Sequence, residues 1–141
     1  MQRYDARTAL VVVDLQNDFA DPDGSLAVHG GANLVPIINA EIAMARSEAA
    51  TVAFTQDWHP ETTPTELEKL LREAAVEWVV VCGLATDYCV KATALDARRL
   101  GFETAVLLDA IRPVELAPGD GERAIGEMTE AGVHSWSTRM R

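Results

Sequence analysis

The stretch Trp78-Val79-Val80-Val81-Cys82-Gly83-Leu84-Ala85-Thr86-Asp87-Tyr88-Cys89 opens on a continuous apolar run rich in valine and closes on a short polar turn. Such a run suits a strand covered on both faces, as in a parallel sheet. Residues 78–82 therefore read as a strand and residues 83–88 as a turn. A helix is predicted to start near Cys89 and to stop at a glycine cap, Gly101.

Working outward, the same alternation repeats. Residues 9–13, 51–55 and 104–108 are short β-branched runs, and residues 133–136 make a plausible last short strand. Between them lie amphipathic stretches. Leu34, Ile37, Ile38, Ile42 and Ala45 recur at helical spacing in a stretch reaching about residue 49. Residues 64–75 open on a capping-box pattern with proline at the first helical position and carry Leu67, Leu70, Leu71 and Ala74 on one face. Residues 120–131 turn Ile125 and Met128 inward. Strands alternating with helices imply βαβ units and a mostly parallel sheet with helices on both sides.

The chain has 141 residues, 48% of them apolar and 24% charged, which fits one folded domain over residues 1–141 and excludes a disordered or fibrous chain. A net charge of −10 repels phosphate backbones and anionic lipid, so neither nucleic acid nor a membrane surface is an expected partner. No apolar run approaches the roughly 18 residues of a membrane span. The start, Met1-Gln2-Arg3-Tyr4-Asp5, lacks a basic-then-apolar layout, so a cytoplasmic location is expected. In a reducing compartment the two cysteines, Cys82 and Cys89, are expected to be free thiols.

In open α/β sheets, ligands bind beyond the carboxyl ends of the strands. Asp14, Asp57, Cys89 and Asp109 all follow predicted strands and are expected to converge there. Cys89 opens a helix, where unpaired N–H groups and the helix dipole favour a thiolate; the same position also suits a thiol packed beneath the helix. The backbone N–H groups of Ala85 and Cys89 are candidates to bind an oxyanion. Asp14 is the nearest candidate base or, on the plainer reading, a turn-capping aspartate. Asp57 and His59, two positions apart, suit either one metal ion or a solvated turn. Cys82, inside an apolar strand, reads as core. An acidic magnesium pocket of Asp14, Asp57 and Asp109 lacks the second aspartate and the lysine that phosphoryl-handling domains use.

Together these segments resemble the nicotinamidase branch of the isochorismatase-like cysteine hydrolases. The resemblance is carried by Val12-Val13-Asp14-Leu15-Gln16-Asn17-Asp18-Phe19, Gly24-Ser25-Leu26-Ala27-Val28, Thr55-Gln56-Asp57-Trp58-His59-Pro60 and Val81-Cys82-Gly83-Leu84-Ala85-Thr86-Asp87-Tyr88-Cys89-Val90-Lys91. It implies deamidation of nicotinamide or a pyrazinamide-like small aromatic amide through a cysteine thioester. By resemblance Cys89 is the nucleophile and Asp14 the catalytic aspartate. The oxyanion hole falls on the N–H groups of Ala85 and Cys89, shaped by a cis peptide between Leu84 and Ala85. Asp57 and His59 would hold a divalent metal ion (zinc, manganese or iron), and Phe19 would line the substrate pocket.

The chain departs from the family between Pro60 and Thr63. There the family carries an edge strand, a further metal-ligating histidine and a catalytic lysine in a Lys-Gly turn. Lys69 and Lys91, the only lysines, fall elsewhere. The expected architecture is thus a three-layer αβα sandwich of about five mostly parallel strands, lacking one edge strand of the family. Such a sheet would leave the 51–55 strand open to pairing with a second copy. Two functions follow from the resemblance: an amidohydrolase, or a catalytically impaired family member serving as a binding or interaction module.

Overall fold

The structure, a computed structural model, describes residues 4–15, 30–55 and 66–139. Its order is β1 (Thr8–Val13), a 3-10 turn (Gly31–Asn33), α1 (Leu34–Ser47), β2 (Thr51–Thr55), α2 (Glu66–Glu73), β3 (Trp78–Leu84), a π-helical turn (Thr86–Val90), α3 (Lys91–Arg99), β4 (Glu103–Arg112), α4 (Asp120–Glu130) and β5 (His134–Trp136). The five strands form one parallel sheet in the order β2-β1-β3-β4-β5.

Alternation along the strands splits the core into two layers. Ala9, Val11 and Val13 of β1, with Val79 and Val81 of β3, face α2, α3 and α4 through Leu71, Ala94, Ala97 and Met128. Leu10, Val12, Val80 and Cys82 face the opposite way, onto Leu34, Ile38 and Ala45 of α1. Both faces of β1 and β3 are covered, which is why their sequences are apolar at nearly every position rather than alternately. β2 forms one edge of the described sheet, and its Phe54 is 59% exposed.

Most expected elements are present, with four corrections. β3 continues to Leu84, two residues past its expected end. Thr86–Val90 forms a π-helical turn, so regular helix begins at Lys91 rather than near Cys89; α3 then ends at Arg99, ahead of Gly101 at φ 96. α2 stops at Glu73 and α1 at Ser47, each about a half-turn early.

The fourth correction matters most. β4 does not end at Asp109-Ala110 but runs to Arg112. Its pairing with β3 jumps from Val81 opposite Val106 to Gly83 opposite Ile111, so extra β4 residues are accommodated in a bulge. The Asp109 carboxylate sits in that irregular stretch and accepts hydrogen bonds from the backbone N–H of Thr138, at 2.9 Å, and from its hydroxyl.

Candidate active site

The site begins where the ends of β1 and β3 meet, at Val13 and Gly83. Gly83 stands opposite Val13 in the ladder at φ 115, and a Cβ there would lie 2.1 Å from the Val13 carbonyl oxygen. Only glycine fits such an approach. It sets the turn after β3 directly beside Asp14, the first residue past β1.

Asp14 is 5% exposed and has φ 46, a left-handed conformation that aspartate tolerates better than most residues. That turn takes its side chain off the strand line. Its N–H donates to the Thr55 carbonyl at 3.1 Å and lies 3.3 Å from the Thr55 hydroxyl oxygen, while that hydroxyl donates to Oδ1 at 3.3 Å. Neighbouring strands thereby fix the carboxylate.

On the other side, the peptide between Leu84 and Ala85 is cis, as the resemblance implied. Ala85 is extended, and its carbonyl accepts from the N–H groups of Tyr88 at 3.1 Å and Val90 at 3.0 Å. The wide turn so formed carries Cys89 half-buried near its end. Asp87 braces it from outside by accepting from the backbone N–H groups of Val114, at 3.0 Å, and Glu115, at 2.8 Å. Asp87 and Thr55 were not singled out from the sequence. Their partners are 27 and 41 residues away, and no local pattern marks such contacts.

Asp14, Thr55 and Cys89 border one cavity of roughly 500 Å³ whose remaining wall is mainly apolar. The expected convergence therefore holds for Asp14 and Cys89. It fails for Asp109, which is absent from the cavity wall and engaged with Thr138. Burial of Asp109 works to raise its pKa, yet the Thr138 hydrogen bonds prevail and hold the carboxyl below its usual value. Phe19, Asp57 and His59 lie outside the described residues.

Cys82, as expected, is core: it is fully buried on the α1 face, and burial, reinforced by the Glu41 charge, pushes its thiol far up. Neither lysine reaches the cavity wall. Lys91 pairs with Glu127 at 3.1 Å and Lys69 with Glu73 at 3.9 Å. Among the described residues no group of three His, Cys, Asp or Glu side chains is placed to hold a metal, so the described part of the chain does not supply a closed metal site.

Comparisons with known proteins agree with this geometry. The Isochorismatase domain matches residues 8–64 and 62–139. The nicotinamidase of Escherichia coli is 46% identical over 69 residues, a match spanning 49% of this chain but only 32% of that protein. The nicotinamidase/pyrazinamidase of Mycobacterium tuberculosis is 30% identical over 157 aligned positions, covering 72% of this chain and 84% of its own. The crystal structure of the Pyrococcus horikoshii pyrazinamidase in complex with zinc superposes with a TM-score of 0.84 at 32% identity, over 93% of this chain and 99% of that one. With the fold, the cis peptide and the Asp14–Cys89 cavity in the same frame, the chain belongs to the isochorismatase family.

Proposed function

We propose that the chain is a nicotinamidase-like amidohydrolase, converting nicotinamide or a pyrazinamide-like aromatic amide to the acid and ammonia. The observation that carries this reading is that Asp14 and Cys89, distant in sequence, border one cavity. The relatives named above, a nicotinamidase and a pyrazinamidase among them, supply the substrate class.

In the proposed chemistry Asp14 takes the Cys89 proton and the sulfur attacks the amide carbon. A carbon–sulfur bond forms, and the carbonyl oxygen becomes an oxyanion facing the backbone N–H groups of Ala85 and Cys89. Asp14 returns the proton to nitrogen as the carbon–nitrogen bond breaks, and ammonia leaves a thioester. Water, deprotonated by Asp14, then attacks the thioester; the acid departs and the thiol is restored. Phe19 is assigned to the substrate pocket. Asp57 and His59 are the residues proposed to hold a divalent ion, zinc, manganese or iron, which when bound would polarise a pyridine nitrogen; two donors alone do not complete a zinc shell.

A second reading has one observation in its favour. The resemblance calls for a lysine beside the aspartate, and both lysines of this chain are paired with glutamates away from the cavity. On that reading the chain is a catalytically impaired family member that binds without turnover. Ammonia release from nicotinamide and pyrazinamide, with and without each metal, decides between them when compared with Cys89→Ala. Release that depends on Cys89 establishes the hydrolase; none from a folded protein establishes the impaired member.

A further inference from the structure

The turn that carries Cys89 is held unevenly. Thr86 and Val90, at its two ends, are buried, whereas Asp87 and Cys89 are half-buried and Tyr88 is 48% exposed. Packing therefore pins the ends and leaves the middle at the surface. Inside the turn the Ala85 carbonyl gathers the N–H groups of Tyr88 and Val90. The hold on the middle comes from a side chain.

An aspartate early in a turn commonly accepts hydrogen bonds from the N–H groups of its own turn. Asp87 reaches across instead: Oδ1 accepts from the Val114 N–H at 3.0 Å and Oδ2 from the Glu115 N–H at 2.8 Å, 27 and 28 residues further on. It thus does not compete for the N–H groups of Ala85 and Cys89 that the proposed chemistry gives to the oxyanion. The far side of this contact is anchored separately. Glu115 has φ 58, a conformation that a residue other than glycine keeps only where its surroundings impose it. Its Oε1 accepts from the N–H of Gly121 in the first turn of α4 at 3.4 Å, and a Cβ on Gly121 would lie 2.9 Å from two carbons of the Pro113 ring. Residues 113–115 therefore rest directly on α4. A second link, from Lys91 to Glu127 at 3.1 Å, ties the residue just past the turn to the same helix. The turn is located against α4 as well as against the sheet.

We propose that Asp87 is a positioning residue for the reaction: its two-oxygen grip on the Val114 and Glu115 backbone sets where the Cys89 sulfur and N–H stand relative to Asp14. This inference rests on Cys89 being the nucleophile. A misplacement of about 1 Å costs on the order of 10²-fold in rate, so a brace two residues from the sulfur acts on the chemical step more than on substrate binding. The geometry also dictates what can replace it. Two N–H donors need two acceptor oxygens, and an asparagine amide offers one and turns its own donor toward the other N–H.

The test compares the full native chain with Asp87→Ala and with Asp87→Asn, whose matching shape preserves the fold where the alanine variant does not fold. One readout is kcat and KM for ammonia release from nicotinamide. The other is protection of Cys89 against iodoacetamide by pyridine-3-carbaldehyde, followed by mass spectrometry; the sulfur bonds the carbonyl carbon while the thiol proton passes to oxygen, a reversible addition with no change of oxidation state. Per folded molecule, kcat is expected to fall roughly tenfold or more in both variants with KM within about twofold, and the half-protecting aldehyde concentration to rise roughly tenfold or more. A role in stability alone lowers the folded fraction and leaves these values unchanged. A role through charge alone moves the Asp87→Asn rate profile to lower pH, since losing an anion near a thiol eases its ionisation, and leaves the plateau intact. Either result overturns the proposal. Ammonia release that depends on Cys89 but is untouched in both variants overturns the role of Asp87 and keeps the hydrolase. Protection that weakens in the variants of a native chain releasing no ammonia keeps the role of Asp87 and overturns the hydrolase reading. A native chain with neither protection nor release overturns both.

Discussion

Cys82 and Cys89 stand seven residues apart in the chain and on opposite sides of one sheet. Cys82 points from β3 into the layer under α1, fully buried, among side chains that leave it nothing to react with. Cys89 rides a wide turn just past the same strand and borders a cavity with Asp14 and Thr55. The residue type is identical and each sulfur packs against an apolar layer. What separates them is backbone: β3 ends at Leu84, the chain swings through an extended Ala85 and a π turn, and the second sulfur emerges at the edge of open space. On the proposed chemistry, reactivity on this scaffold is assigned by where a strand stops.

The sharpest way to break the comparison is to remove each sulfur in turn. On the proposed chemistry Cys89→Ala lowers ammonia release by roughly 10³-fold or more, because the nucleophile is lost while binding remains. Next in size is Gly83→Ala. Its new Cβ would sit 2.1 Å from the Val13 carbonyl oxygen, so strands or turn must move. A loss of about 3–5 kcal/mol in urea unfolding is expected, and activity per folded molecule should fall with it, since the same contact positions both sides of the site.

Cys82→Ser is the mirror experiment to the first. A hydroxyl placed without a designed partner in that layer costs about 1–3 kcal/mol of stability, with kcat per folded molecule unchanged. Thiol titration sharpens the point: native protein should expose Cys89 to reagent and withhold Cys82 until unfolding, since Cys82 is fully buried and burial raises its thiol.

The smallest expected effect concerns Asp109. Its folded carboxyl titrates below its usual value, so its contribution to stability is complete above the unfolded value near 3.8 and is lost as pH falls through the folded one. Asp109→Asn should remove that contribution, flattening the acid limb of the stability curve by no more than about 1 kcal/mol while ammonia release at neutral pH stays unchanged. A large loss of activity would restore Asp109 to the site and undo the separation drawn between the β1 and β4 ends.

These cases also mark what the sequence allowed. The strand at Thr51–Thr55 was legible to the residue, because a β-branched run lay between two breaks. The turn after β3 was legible in position but not in type, because one extra residue per turn leaves little trace in five positions. β4 was read short because Asp109-Ala110 has the composition of a strand end. Its continuation depends on the jump in pairing with β3 and on Thr138, 29 residues on. Asp14 and Cys89 came from reading strand ends together with the family resemblance. Leu71 was read as part of a buried helix face, whereas Leu100 and Phe102 were not read at all, since side chains that border a cavity and side chains that fill a core share one periodicity.

The strand order carries a consequence for how the chain is made. Of the described strands β1 leaves the ribosome before the others yet occupies an interior place, with β2 on one side and β3 on the other. Residues 8–13 must therefore wait, apolar at nearly every position, until residue 84 has emerged before both of their edges are satisfied. A nascent chain halted after β2 presents one bare, β-branched edge to its surroundings. Synthesis of this protein thus passes through a window in which the strand that later anchors Asp14 has an unpaired edge, and that window closes only as the turn carrying Cys89 is about to emerge.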